Sequence, residues 1–481
     1  MKATTVSRVA ASLAPALLLA ACVLPPKEPP QATAINVEGL GLDGARQGPV
    51  TDGWWKSFGD PQLDALIDKA IASSPSLAEA VARVRSAHAQ MQAAGAGGRP
   101  DFSINGNEVR QRLPKNYIYP APYAGGEYWV GQIEANMSWD LDFWGEQKRL
   151  LDQAKLSSQA SELDVESARL ALAGSIAQSY VNLYTAYAMA DIATQAEQQR
   201  EALLKLTEDR VHAGLDTQLD VKSAEALLPQ AREQRLQAEA SRDMAVHSLA
   251  ALSGQGANAY VTIKRPALKL DAALPLPQDL PIDLLAHRPD VLAARARVEA
   301  AMAGRAAAKA AFYPQISLTA LAGYQSVSLD TLLHGSSGVW GFGPSVHLPI
   351  FDSQRLKASY RGATADLDTA VAQYNQTVLD AVRDVADQLT RSRSLMQQLD
   401  QSQQTLAASE AAFDLAKRRY AAGLTSRLVV LNAESNVLSA RRDVVTVKSN
   451  LVIARVTLLL TLGGSFNPQP PDADAGAGAT S

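Results

Sequence analysis

The sequence predicts an α+β membrane protein made from a duplicated unit, each copy supplying long coiled helices and one pair of transmembrane β-strands. Three observations predict it: the chain aligns with itself, four segments alternate apolar and polar residues, and apolar heptads run on too long for an ordinary globular core. Four strands cannot close a barrel, because about eight is the practical minimum. Two copies would give eight strands and an interior filled by side chains. Three give twelve and a water-filled lumen, so a conducting function favours a trimer that closes a twelve-stranded barrel, with the long coiled helices extending beyond it.

The duplication shows as blocks at nearly constant offset. "SPSLAEAVARVRSAHAQ" from Ser74 aligns with "RPDVLAARARVEAAMAG" from Arg288, pairing Pro75 with Pro289 and Arg83 with Arg297 at a spacing of 214. "RVHAGLDTQLDVKSAEALL" from Arg210 aligns with "RYAAGLTSRLVVLNAESNV" from Arg419, pairing Gly214 with Gly423, Leu219 with Leu428 and Glu225 with Glu434 at a spacing of 209. Gly254 and Gly463 close the two copies.

At the N-terminus, Lys2 and Arg8 precede an apolar stretch from Val9 to Ala21 that is too short to span a membrane comfortably and reads as a secretory signal peptide. Its end, Leu19-Ala20-Ala21-Cys22, resembles the bacterial lipobox, so Cys22, the single cysteine, is expected to be lipidated and to begin the mature chain. Cleavage there would remove two positive charges and no acid, moving the formal net charge from −4 to −6. That balance gives no support for nucleic-acid binding. Beyond the leader no stretch is expected to be apolar enough for a membrane helix, which leaves β-strands as the means of spanning. The six histidines form no HExxH or comparable metal-ligand spacing, and Walker A and G-x-S-x-G motifs are absent, so no enzyme activity, cofactor or metal is expected.

In "YWVGQIEANMSWDLDF" the odd positions Trp129, Ile133, Ala135, Met137, Trp139, Leu141 and Phe143 are apolar, and the even positions from Gln132 to Asp142 are polar. Such alternation gives a barrel strand one face for lipid and one for water. Ile316, Leu318, Ala320, Ala322 and Tyr324 repeat the pattern, as do Trp340, Phe342, Val346, Leu348 and Ile350; "DFSINGNEVRQR" is a weaker fourth strand. Long helices follow each hairpin. Val371, Val378, Val385, Leu399, Leu406, Phe413 and Tyr420 fall on one heptad with Ser392 its single polar member, and Val382, Leu389 and Met396 repeat beside it. The first copy has its counterpart from about Glu146 to Asp209, with Leu172, Ile176, Tyr180, Leu183 and Tyr187 as a stripe. At ~1.5 Å per residue, such helices reach nearly 100 Å.

The expected layout is a lipoprotein signal peptide at 1–21, an N-terminal linker and belt segment at 22–60, and a first repeat at 61–270 with its hairpin at about 101–143. A second repeat follows at 271–465 with its hairpin at about 315–350, then a disordered tail at 466–481.

Together with "WWKSFGDPQLDALIDKAI", "SWDLDFWGEQKRL", "RPD" at Arg288, "FYPQISL" at Phe312 and "RRYAAGL" at Arg418, these features resemble the TolC-like outer-membrane efflux channels, and particularly their lipoprotein branch. The resemblance covers essentially the whole mature chain. It implies a homotrimer in outer-membrane lipid, continuing as a helical barrel into the periplasm with a belt of smaller elements around its middle. Such a channel is a passive conduit that receives small toxic compounds through a periplasmic adaptor from an inner-membrane pump, in this branch of the RND type. Val23 is compatible with outer-membrane sorting.

The resemblance also places the periplasmic tip and adaptor contact at Gly214, Leu215, Gly423, Leu424 and Tyr420. Asp220 matches a position where aspartates of three subunits approach the axis and narrow the entrance, although its repeat partner is Val429. Asp216 lies beside the turn. The arginine that locks the gate in some relatives corresponds to Thr425, so that lock is absent or is supplied by Arg427 or Arg210. The competing readings are a lipid-anchored periplasmic coiled-coil scaffold, which explains the heptads but not four two-faced strands, and a lipid-anchored glycosidase-type enzyme, which explains none of the long helices.

Overall fold

The computed structural model describes residues 25–36, 39–42, 53–270, 281, 283–349 and 352–466. The expected signal peptide, Cys22 and, beyond Phe466, the expected tail lie outside the described residues. Helices α1 (Pro61–Ser73) and α2 (Pro75–Ala96) lead into strands β1 (Asp101–Arg112) and β2 (Glu127–Asp140), then α3 (Glu146–His212) and α4 (Gln218–Leu252). The second copy repeats the order with α5 (Pro289–Ala310), β3 (Gln315–Ser326), a one-turn α6 (Leu329–Leu332), β4 (Gly338–His347), α7 (Ser353–Ala421) and α8 (Arg427–Thr461). The chain divides into two compact units.

The first unit comprises the described residues of Met1–Ala34, Val84–Ser161 and Ala294–Asn375 and holds the sheet. All four strands are antiparallel in the order β1-β2-β3-β4. The register keeps the two faces chemically distinct except at one end, where Glu108 and Arg110 of β1 share the face of Gly131 and Trp129. Phe102 lies opposite Met137, Ile133 opposite Tyr324, and Ala320 opposite Phe342, while Ser103 faces Asn136, Asn105 faces Glu134, and Ser138 faces Thr319. Phe102, Ile104, Trp129, Trp340, Phe342 and Val346 are all exposed on the apolar face, gathered on one side of the sheet and not scattered over the surface.

Strand β2 stops earlier than the alternation suggests: Asp142 adopts a left-handed φ of 38° and accepts the Gln147 and Lys148 amides of the first turn of α3. Leu141 and Phe143 therefore fall outside β2, and Leu348 falls beyond β4, while Ile350 is outside the described residues. At the entry to β3, Phe312 packs on Leu356 and Tyr360, and Tyr313 stacks on Trp144 at 5.0 Å. Residues 28–33 run along α7: the Glu28 carboxylate accepts from Arg361, Asp368 accepts the Gln31 and Ala32 amides, and Asn375 donates to the Thr33 carbonyl.

The second unit comprises the described residues of Ile35–Arg83, Glu162–Ala293 and Gln376–Ser481. Its main core gathers Trp54, Trp55 and Phe58 from the short turn before α1, Leu63 and Ile67 of α1, Ile176, Tyr180 and Leu183 of α3, Leu249 of α4, and Val452, Val456 and Leu459 of α8. Asp60 caps α1 within this core, accepting the Gln62 amide at 3.0 Å, the Tyr180 hydroxyl at 2.7 Å and the Ala267 amide at 2.7 Å.

Helix α7 holds 69 residues and α3 holds 67, as the heptads predict. Val371, Val378, Val385, Leu389, Ser392 and Tyr420 are buried; Met396, placed in the neighbouring stripe, is exposed instead. One further expectation fails, because α8 is long and apolar enough by composition to cross a membrane. Its apolar residues have another destination: Val452, Val456, Leu458 and Leu459 are all buried, three of them in the main core.

Candidate functional site

Two helix reversals in the second unit share one construction. After α3, the Gly214 amide donates to Val211 and the Leu215 amide to Arg210; after α7, the Gly423 amide donates to Tyr420 and the Leu424 amide to Arg419. These paired bonds form a Schellman cap, which needs a left-handed residue. Gly214 and Gly423 supply it with φ of 72° and 73°. A Cβ at either would meet nothing within 4 Å, so the requirement is backbone conformation and not space. The caps expose Leu215, Leu219, Leu424, Leu428 and Val429, leaving an apolar cluster at each reversal.

A polar knot ties the reversals together. Arg210 holds Asp216 through two bonds, Nε to Oδ2 at 2.9 Å and Nη2 to Oδ1 at 3.2 Å. The Tyr420 hydroxyl donates to the same Oδ2 at 2.7 Å, and the Arg210 guanidinium lies 4.4 Å from the centre of the Tyr420 ring. The hydrogen bonds from Arg210 hold the Asp216 carboxyl below the usual carboxylate range, and burial followed by the Asp216 bond pushes the Tyr420 phenol up.

Asp220 is employed differently. Its carboxylate accepts the Thr217 amide at 3.0 Å and the Thr217 hydroxyl at 2.6 Å, closing a capping box on α4, and those bonds lower its pKa. Arg427, buried at the start of α8, donates to the Asp220 carbonyl. Within one chain, then, Arg210, Asp216 and Tyr420 form a single cluster, while Arg427 binds the backbone of α4.

Sequence reasoning missed two carboxylates. Asp60 sits inside "WWKSFGDPQLDALIDKAI", but nothing local announces that Tyr180, 120 residues away, will donate to it. Glu434 was identified only as the repeat partner of Glu225. Glu225 makes a surface ion pair with Lys222 at 2.7 Å, whereas Glu434 is buried against Arg200. Among the described residues no group of three or more His, Cys, Asp or Glu side chains is placed to hold a metal.

The family profile described as outer membrane efflux protein matches residues 66–255 and 280–464. The fusaric acid resistance protein FusA of Burkholderia cepacia is 36% identical over 365 residues, covering 74% of this chain and 69% of the relative. The multidrug resistance outer membrane protein MdtP of Escherichia coli is 32% identical over 425 residues, 87% of each chain. Among solved structures, the outer membrane protein VceC of Vibrio cholerae superposes with a TM-score of 0.82 at 33% identity, covering 87% of this chain and 100% of that one. The outer-membrane channel OprN gives 0.79 at 26% identity, covering 92% and 99%.

Proposed function

Because this chain belongs to the outer membrane efflux protein family, we propose that it is the passive outer-membrane channel of a tripartite efflux pump, working as a homotrimer with a periplasmic adaptor and an inner-membrane pump of the RND type. The observation that carries the reading is the sheet. It presents an exposed apolar face, a polar face bearing Asp101, Glu134 and Asp140, and two outer strands, β1 and β4, that pair with no further strand among the described residues. Three such sheets joined edge to edge make twelve strands, removing every open edge and turning the polar faces inward. Relatives named for fusaric acid resistance and multidrug resistance support small toxic compounds as the cargo. The chain contributes a route and its closure, while the pump supplies energy. Heat-modifiable trimers that conduct ions in planar bilayers are the expected result; a monomer without conductance would overturn the reading.

The two reversals form the periplasmic tip in this proposal, with Gly214, Leu215, Gly423, Leu424 and Tyr420 as the adaptor contact. Arg210 and Asp216, on the first reversal, act with Tyr420 of the second as a latch between them, and the Asp220 carboxylates of three protomers narrow the entrance. Asp216→Asn is expected to weaken the latch by about 1–3 kcal/mol and to raise the frequency of open-channel events. Asp220→Asn is expected to weaken block by divalent cations added from the periplasmic side. Single-channel recording separates the two, and cation block identical to wild type in Asp220→Asn would remove Asp220 from the entrance.

Lipidation of Cys22 anchors the mature chain and leaves spanning to the barrel. Because stable attachment takes more than one acyl chain, Cys22 is multiply acylated. Labelling with a radioactive fatty acid is expected to disappear in Cys22→Ser while conductance persists; undiminished labelling would reject the anchor.

A further inference from the structure

Two carboxylates are buried among the described residues, and their surroundings differ sharply. Asp60 receives three donors. Glu434, only 2% exposed, receives none: Arg200 Nη1 lies 2.9 Å from its Oε2, yet neither carboxylate oxygen nor that nitrogen has a hydrogen-bond partner, because the approach is poorly directed. The charged groups acting on Glu434 are Arg200 from α3 and Lys417 from α7. On α8 itself the other buried charge is Arg427, seven residues earlier and engaged with the Asp220 carbonyl of α4. Glu434 follows Ala433, which belongs to the apolar cluster of Leu203, Phe413, Ala416, Tyr420 and Val430 behind the reversals.

We propose that Glu434 and Arg200 form a proton-sensitive layer between α3 and α8, in which protonation of Glu434 tightens the packing of α8 beside the reversals. An ionised carboxylate stripped of water and given no hydrogen bond costs far more than a neutral carboxyl in the same place. Arg200 keeps 15% of its side chain exposed, although the Nη1 that faces the carboxylate is buried. Burial raises the Glu434 pKa above its ordinary 4.5, and the charges of Arg200 and Lys417 offset this only in part.

The packed form therefore binds the proton more tightly than the separated form. Its stability grows as pH falls from neutral through that raised value and is lost as pH rises through it. The Asp216 and Asp220 bonds respond in the opposite sense and in a lower window, weakening only once pH falls through folded-state values below 3.8. Mild acid thus tightens the seam, and strong acid releases the latch. In the channel reading, mild acid biases the entrance toward closure.

Hydrogen exchange of the full chain in detergent, corrected for intrinsic rates, tests the layer. Protection of amides 428–440 is expected to rise about threefold or more in wild type as pH falls from about 7.5 to the ordinary carboxyl value of 4.5. In Glu434→Gln it should be high and flat, and in Arg200→Gln the rise should begin at higher pH because a charge favouring the carboxylate is gone. No rise in wild type, an equal rise in Glu434→Gln, or an unmoved onset in Arg200→Gln would overturn the proposal. A chain that fails to conduct at neutral pH would count against the channel reading and leave this measurement unaffected.

Discussion

Ile133→Arg is expected to prevent most of the protein from reaching a heat-resistant, membrane-inserted form, while Gln132→Arg, one residue away, assembles normally. Ile133 lies between Trp129 and Trp139 on the apolar face, opposite Gly106 and Tyr324. The ten residues separating those tryptophans cover about 33 Å along a strand and about 25 Å along the membrane normal at the usual barrel tilt, matching the lipid-facing band. An arginine near its middle costs about 2–4 kcal/mol per chain, and a trimer incurs that cost three times. Gln132 belongs to the polar face beside Asn107 and Gln325, where a charge meets water. Heat-modifiable migration of outer-membrane fractions gives the comparison. Equal assembly of the two variants would mean that the sheet faces are reversed or that the sheet does not meet lipid.

The second large effect is expected at Asp60. Asp60→Ala removes one acceptor shared by an α1 amide, the Tyr180 hydroxyl and the Ala267 amide, so an N-cap and two long-range ties vanish together. Tyr180 is fully buried and its hydroxyl keeps only the Gln62 amide group as a neighbour, which is itself a donor. Losing the cap costs about 1 kcal/mol and each orphaned buried donor about 1–3 kcal/mol, giving about 3–7 kcal/mol. Thermal unfolding followed by circular dichroism should show a large drop in midpoint; a change no greater than that of an exposed substitution would place these bonds outside the energetics of the core.

The parts that were legible in the sequence are those governed by a period. Alternation every two residues disclosed the strands and their faces, and a heptad sustained from Val371 to Tyr420, inside a run without Pro that begins at Asp352, disclosed the long helix α7. Glycines at the reversals were legible because the left-handed cap conformation strongly favours that residue. Boundaries set by a single side chain were not: Asp142 ends the reach of β2 by bonding to α3, although its place in the alternation looks like any other polar position. The hydropathy of α8 was underestimated because its apolar residues crowd toward one end, next to charged and polar ones. Asp216 and Tyr420 lie 204 residues apart, so their bond exists only once both hairpins have formed. The repeat also misleads where its copies diverge, since aligned Glu225 and Glu434 occupy a wet surface and a dry seam.

Helices α4 and α8 each contain 35 residues and run from equivalent glycine reversals to equivalent glycine caps at Gly254 and Gly463. Their equality makes them matched struts with a shared length tolerance. Deleting one turn from α8 alone would retract its end by about 5 Å, more than the hydrogen bond between Tyr420 and Asp216 can absorb. Trimming α4 alone would do the same from the other side. Length in this protein is therefore a paired quantity: the hairpins can be rescaled in tandem by whole heptads, which preserve both the seam and the level of the reversals, but a change in one copy is a fault that only a second change in the other repairs.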